Sequence, residues 1–427
     1  MTCYPGFAPK HRRGRRPGIQ LALRVSCFTL LLFFYALPSV FANTLRVGPN
    51  QQFDAPCAAI AAAADGDRIE IDSSVVYRGD VCRWAKNRLT LIGVGSRRAI
   101  LNAAGKAAEA KAIWVIAGND TTVENIEFIH AKVPDLNGAG IRLEGTNLTV
   151  RNCYFHDNQE GILSGVNKDS TVDIEYSEFA NNGAGDGQSH NLYIGNVKKL
   201  IFEFNYSHDA IVGHLLKSRA AENYIAYNLL ADGLSGNSSY ELDLPNGGRS
   251  IVLGNLIEQG PLTGNDNVIA YMEEGDSPLN PNHELYVVNN TFVNDYKKGI
   301  FISVGPLAQT PVVIQNNIFA GQGGITDQIR PLRLSNATGY VDFVDRGNFD
   351  YHLKPGSPQA HGGSKPRPRG DVDSAMLTPE FQYVRDACGE ARPAATGAID
   401  LGAYAVGNSS GEVPPNSPSR CNKSATK

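Results

Sequence analysis

Neither sign of charge dominates this sequence: 39 Lys and Arg stand against 43 Asp and Glu, a formal net charge of -4 over 427 residues. Without a basic excess there is no electrostatic footprint for a nucleic acid. After Asn43 no apolar run is long enough to span a bilayer. The seven cysteines include no Cys-x-x-Cys pair, which argues against a zinc site. Leu-x-x-Leu-x-Leu is also missing, which excludes a leucine-rich horseshoe. What is abundant is glycine, 44 residues, together with many asparagines. That composition suits a fold built from many turns.

Residues 1–42 read as an export signal. The basic run His11-Arg12-Arg13-Gly14-Arg15-Arg16 precedes an apolar stretch centred on Phe28 to Leu37, and Val40-Phe41-Ala42 offers a small residue for cleavage. The mature chain is then expected in the periplasm or outside the cell, where cysteines oxidise. Cys57 with Cys82 would staple an N-terminal cap, and Cys388 with Cys421 would tie down the tail. Cys153, inside a strand pattern, reads as a small buried hydrophobe.

The strongest signal is internal repetition. Val123-Glu124-Asn125-Ile126-Glu127-Phe128 returns as Val150-Arg151-Asn152-Cys153-Tyr154-Phe155, Val287-Val288-Asn289-Asn290-Thr291-Phe292 and Ile314-Gln315-Asn316-Asn317-Ile318-Phe319. Degenerate copies pass through Tyr176, Phe204, Tyr227 and Gly254. Each copy holds short alternating strands separated by Gly, Asn and Asp turns. A single coil of this size cannot bury its apolar face, whereas stacked coils bury one another. The pattern predicts an all-β, right-handed parallel β-helix. Asn125, Asn152, Asn289 and Asn316 are expected to stack as a structural ladder at one corner. The expected division is a β-helix domain over 43–322, opened by a helical cap at Cys57 to Ala64, a C-terminal extension over 323–406 packed on it, and a disordered tail over 407–427.

A further strand in most coils can be aligned between coils. It reads Gly140-Ile141-Arg142-Leu143, then Gly161-Ile162-Leu163-Ser164, His190-Asn191-Leu192-Tyr193-Ile194, Gly213-His214-Leu215-Leu216-Lys217-Ser218-Arg219 and Tyr240-Glu241-Leu242-Asp243-Leu244. Alternation sends Leu192, Leu216 and Leu242 into the core. It aligns Arg142, Tyr193, Lys217 and Asp243 in one outward column, with Asn191, Glu241 and Arg219 flanking it. His190 and His214 fall at equivalent steps and read equally well as hydrogen-bonded corner residues. Glu273-Glu274 reads as a solvated pair and Asn246-Gly247-Gly248 as a turn.

Basic, acidic and phenolic groups in one column suit an acidic polysaccharide. Removing the proton beside a uronate carboxylate requires a cation to neutralise the developing anion and a base to accept the proton. Lys217, beside the like charge of Arg219, is the candidate base. Tyr193 or His190 would protonate the leaving oxygen or exchange roles with it. Arg142, Asn191, His214, Glu241 and Asp243 are candidate substrate contacts. No cofactor is certain, but Asp186, Glu241 and Asp243 are candidate Ca²⁺ ligands.

The Val-x-Asn-x-x-Phe coils, over roughly Leu89 to Phe319, resemble the pectin-lyase-like superfamily of right-handed β-helix proteins. Gly213-His214-Leu215-Leu216-Lys217-Ser218-Arg219-Ala220 and Ser239-Tyr240-Glu241-Leu242-Asp243-Leu244-Pro245-Asn246-Gly247-Gly248 are similar to a group of exported bacterial β-helix repeat proteins of unsettled function. The resemblance implies polysaccharide chemistry of the kind in which lyases use a Lys base and an Arg acid, about one coil apart; Lys217 and Arg219 instead lie on one strand. The Asp-Pro-His-Asp element of uronate C5-epimerases is matched only by Ser207-His208-Asp209, and the Gly-His-Gly of polygalacturonases is missing. The expectation is therefore an exported protein that binds an acidic polysaccharide and cleaves it by β-elimination. A C5-epimerase, or a carbohydrate-binding or surface-structural solenoid without activity, is the alternative.

Overall fold

The computed structural model describes residues 42–395, 397–407, 411–418 and 421. The export segment at 1–42 lies outside the described residues except for Ala42. Among those described, the chain winds into three parallel sheets of 12, 11 and 10 strands. Each complete coil contributes one strand to each sheet in turn, as in Thr121–Glu124, Ile126–Ile129 and Ala139–Leu143. Every strand pairs in parallel with its equivalents one coil before and after, so Val123 meets Val150 and Phe128 meets Phe155. Coils about 4.8 Å apart place like side chains on like. Phe128, Phe155 and Phe179 accordingly stack at 4.8 and 5.0 Å inside the rod. Each such buried ring contributes about 1.5–3 kcal/mol of transfer free energy.

The sharp corner between the first two sheets explains the repeat. Asn125, Asn152, Tyr176, Phe204, Tyr227, Gly254, Asn289 and Asn316 all have φ between 51° and 66°. Asn tolerates this left-handed conformation best among residues with a side chain. Asn152 donates to Asn125 at 3.1 Å and Asn316 to Asn289 at 3.2 Å, so the expected ladder forms at both ends of the rod. Between them the row becomes aromatic, with Tyr176, Phe204 and Tyr227 stacked at 5.1 and 5.2 Å. At Gly254 a Cβ would lie 2.8 Å from the Tyr227 ring, so glycine ends this stack.

One residue further on runs a second ladder, internal up to its partly buried last member, that the sequence pattern does not announce. It runs through Asn205, Asn228, Asn255, Asn290, Asn317 and Asn336, and from Asn228 on each Oδ1 accepts from the side-chain amide of the member before. Each Oδ1 also receives that member's backbone N–H, at 2.8–2.9 Å. The buried amides are thus satisfied along the rod.

The helix Pro56–Ala62 buries Ala59 and Ile60 against the first coils. Cys57 and Cys82 form one disulfide and Cys388 and Cys421 the other, both as paired from sequence. Cys153 is a buried free thiol, and burial pushes it up to about 12. The coils continue past residue 322 through Gly324–Thr326, Leu332–Leu334 and Ala337–Gly339. Beyond them two antiparallel pairs form, Phe343–Asp345 with Asp350–Leu353 and Phe381–Val384 with Cys388–Ala391. Tyr351, Tyr383, Leu401 and Tyr404 bury themselves against Leu229, Leu256 and Ile318 of the rod. Where disorder was expected, Val413 and Cys421 pack with Phe204 and Tyr227, and Ser417 lies 3.5 Å from the Tyr176 hydroxyl. No helix among the described residues is long and apolar enough to cross a membrane.

Candidate active site

The third sheet carries the site. Its pairing sets Arg142, Leu163, Tyr193, Lys217, Asp243, Ala270 and Ser303 at one step of successive coils. Ile141, Ile162, Leu192, Leu216 and Leu242 occupy the neighbouring step, all fully buried. The inward leucines therefore fix the outward column.

At the centre of the column Lys217 is 7% exposed, with its Nζ 2.7 Å from Asp243 Oδ2 and 2.8 Å from Glu274 Oε1. Burial alone would lower this ammonium. The charges and hydrogen bonds of Asp243 and Glu274 outweigh it and hold Lys217 above its ordinary value. Lys217 is thus a locked cation, and the expectation of a base made neutral by Arg219 is overturned. Arg219 shares Glu274 with Lys217 and has further partners: Nε donates to Tyr193 Oη at 2.8 Å, Nη2 meets Glu274 Oε2 at 2.6 Å, and Nη1 donates to Asn246. Its guanidinium carbon also lies 5.6 Å from the centre of the Tyr193 ring. Glu274 is exposed, as expected of a solvated residue, but it also bridges both cations. It arrives from a loop 55 residues along the chain from Arg219, which pairwise pattern reading does not reach.

His190 and His214 form a stacked ladder, with ring centres 4.4 Å apart and Tyr240 4.9 Å beyond. His214 N–H donates to His190 Nδ1 at 3.0 Å, and Tyr240 N–H to His214 Nδ1 at 3.1 Å. Burial drives His190 down to about 3, helped by the nearby Lys217 charge, and takes His214 well below its usual value. Both imidazoles are neutral acceptors at Nδ1 and are poorly suited to donate a proton as imidazolium. His214 Nε2 lies 3.4 Å from Asp243 Oδ2, and His190 holds the Tyr193 ring edge-on at 5.7 Å.

Two assignments made from alternation, and the calcium-ligand set, are corrected by the structure. Asn191 and Glu241 do not flank the groove, because the chain turns at the start of each strand and carries both inside. Asn191 is fully buried, accepting from Asn182 and donating to Ser207 and the His208 carbonyl. Glu241 is fully buried too, and burial holds its carboxyl well above the ordinary range. Asp186 Oδ1 is occupied in its own loop by the N–H groups of Gln188 and Ser189 and the Ser189 hydroxyl. With Asp243 paired to Lys217, the three proposed calcium ligands do not converge. Among the described residues no group of three or more His, Cys, Asp or Glu side chains is placed to hold a metal.

Beside the column opens a cleft of about 610 Å³ lined by Arg142, Glu160, Asp186, Tyr193, Arg219 and Asn246, among others. Arg142 makes no ion pair among the described residues, and its buried Nε has no hydrogen-bond partner. Tyr193 sits between this open cation and the anchored Arg219. The cleft therefore presents an unpaired guanidinium, a phenol carrying a guanidinium on its oxygen, and a rigid charged network behind them.

Residues 58–198 match the family described as right-handed beta helix region. Among solved structures, a pectate lyase superposes with a TM-score of 0.54 at 13% identity, covering 86% of this chain and 97% of that one. A pectin methylesterase in complex with a hexasaccharide superposes at 0.31 with 12% identity, over 65% of this chain and 79% of that one. A pectin methylesterase from Aspergillus niger gives 0.29 and 11%, over 79% and 94%. No curated protein matches the sequence. Together, the repeat, the three parallel sheets and the pectate lyase superposition make this chain a right-handed parallel β-helix.

Proposed function

We propose that this is an exported protein whose cleft binds a uronate polysaccharide and cleaves it by β-elimination, with Tyr193 moving the proton. The observation that carries this reading is Arg219 Nε on Tyr193 Oη at 2.8 Å, in the same cleft as the unpaired Arg142. Arg142 takes the uronate carboxylate and stabilises the charge that gathers there as the C5 proton leaves. Acting in its phenolate form beside the Arg219 guanidinium, Tyr193 Oη accepts that proton. The electron pair released at C5 forms the C4–C5 double bond, and the C4–O bond breaks. Tyr193, now a phenol on the same face, returns the proton to the departing glycosidic oxygen. Lys217, Asp243 and Glu274 hold Arg219 and Tyr193 in place, while His190 and His214 support them from the corner. Two disulfides fit an oxidising compartment and support the export reading.

The test is the near-ultraviolet absorbance of the unsaturated uronate when purified protein meets a panel of polyuronates. The expected result is a rise with at least one of them, reduced about 10³-fold in Tyr193→Phe, as befits loss of a positioned proton-transfer group. A rise that Tyr193→Phe leaves unchanged contradicts the assignment. Binding without any rise in the native protein would favour a carbohydrate-binding solenoid.

A further inference from the structure

Two buried polar atoms beside this cleft lack a hydrogen-bond partner: Arg142 Nε and Glu160 Oε2. Glu160 begins the strand Glu160–Ser164, pairs with Ala139 of the coil before, is 1% exposed and borders the cleft together with Arg142. It stands one coil before His190, so it heads the ladder that continues through His214 and Tyr240. The His190 backbone N–H engages its carboxylate, while Oε2 stays unpartnered. An unpartnered buried polar group costs about 1–3 kcal/mol, so native proteins keep few. Here two of them border one cleft and do not pair with each other.

Their chemistry narrows what fits between them. Burial holds the Glu160 carboxyl well above the ordinary range; the His190 N–H and the charges of Arg142 and Lys217 offset this only in part, and Asp186 adds to it. A protonated carboxyl is a hydrogen-bond donor, and Arg142 Nε–H is another. A carboxylate accepts from both at once, one oxygen to each donor, and its charge matches the guanidinium. A neutral sugar hydroxyl or a methyl ester lacks the second anionic oxygen.

We infer that Glu160 and Arg142 form one subsite that reads a free uronate carboxylate, Arg142 donating to one oxygen and the Glu160 carboxyl donating to the other. The inference rests on the cleft being the uronate site and adds its specificity: the substrate is unesterified. Glu160 binds the substrate carboxylate directly here and takes no part in proton transfer to carbon.

Calorimetric titration of an oligouronate and of its methyl ester into the native protein, Glu160→Gln and Glu160→Leu tests this. Glu160→Gln keeps a donor and should hold its affinity for the free acid within about threefold, whereas Glu160→Leu should lose about tenfold, equivalent to about 1.4 kcal/mol. Neither change should alter binding of the ester. Native-like binding of the free acid by Glu160→Leu overturns the inference. If Glu160→Leu does not fold, the pH profile decides. Arg142, Asp186, His190 and Lys217 face Glu160. Asp186 and His190 titrate on the acid side, and Lys217 is held above its ordinary value. Native affinity should therefore fall as Glu160 ionises on raising the pH, while Glu160→Gln stays flat; parallel profiles overturn the inference. A native protein that binds neither ligand refutes the uronate reading itself and this subsite with it. Intact binding that ignores Glu160 refutes the subsite alone.

Discussion

Two ladders run along this rod, and they are built on opposite principles. At the corner between the first and second sheets, Asn205 to Asn336 are uncharged, and each amide accepts from the member before it. At the start of the third sheet, Glu160, His190, His214 and Tyr240 stack through the same kind of main-chain-to-side-chain bond. That second ladder is titratable, and it begins at an oxygen with no partner. The first ladder repeats a neutral, self-satisfying unit and stabilises stacking. The second places ionisable groups in low dielectric and leaves the end nearest the cleft unfinished, as expected where a protein accepts local cost for a binding site.

The largest effect should follow from breaking the neutral ladder. Asn255→Leu removes the acceptor of Asn228 and the donor to Asn290, and it strands a buried backbone N–H. Each lost buried bond costs about 1 kcal/mol and a stranded donor more. Denaturant unfolding should therefore show a loss of about 3 kcal/mol, with turnover per folded molecule unchanged. Reduced turnover in the folded fraction would mean that the two ladders are not separate in role.

A smaller effect should separate the ladders by pH. His190 titrates near 6.5 when unfolded and near 3 when folded. Because the folded state disfavours the proton, His190 contributes stability above pH 6.5 that is lost as the pH falls from there toward 3. Between pH 6.5 and 4.5 the native protein should lose about 2 kcal/mol from this residue. His190→Gln keeps an acceptor for the His214 N–H, does not titrate, and should show a correspondingly flatter profile. Matching slopes would mean that His190 is solvated rather than sealed in the corner.

How far sequence reading reached can be judged from the same two corners. The column Arg142, Tyr193, Lys217 and Asp243 was legible because the leucines beside it are apolar and period two fixes their neighbours. Both disulfides were legible because four cysteines fall at the two ends of the coil region. Asn191 and Glu241 were misplaced because period two fails where a strand leaves a corner, and two consecutive residues turn inward. Glu160 stands at the same point, where its alignment with His190 and His214 is the available signal. Glu274 had no local signal at all, since its loop reaches back across two coils to Lys217 and Arg219. The inner asparagines were hidden in plain repeats by the eye-catching neighbour whose left-handed backbone makes the corner.

The central claim, that Tyr193 moves the proton while Lys217 is a fixed cation, is tested most directly by measuring initial elimination rates for Tyr193→Phe and Lys217→Arg side by side. Arginine keeps the charge facing Asp243 and Glu274 but cannot serve as a base at accessible pH. The account predicts that Lys217→Arg stays within about tenfold of the native rate while Tyr193→Phe falls about 10³-fold. An inactive Lys217→Arg beside an active Tyr193→Phe would contradict it and return the base to Lys217.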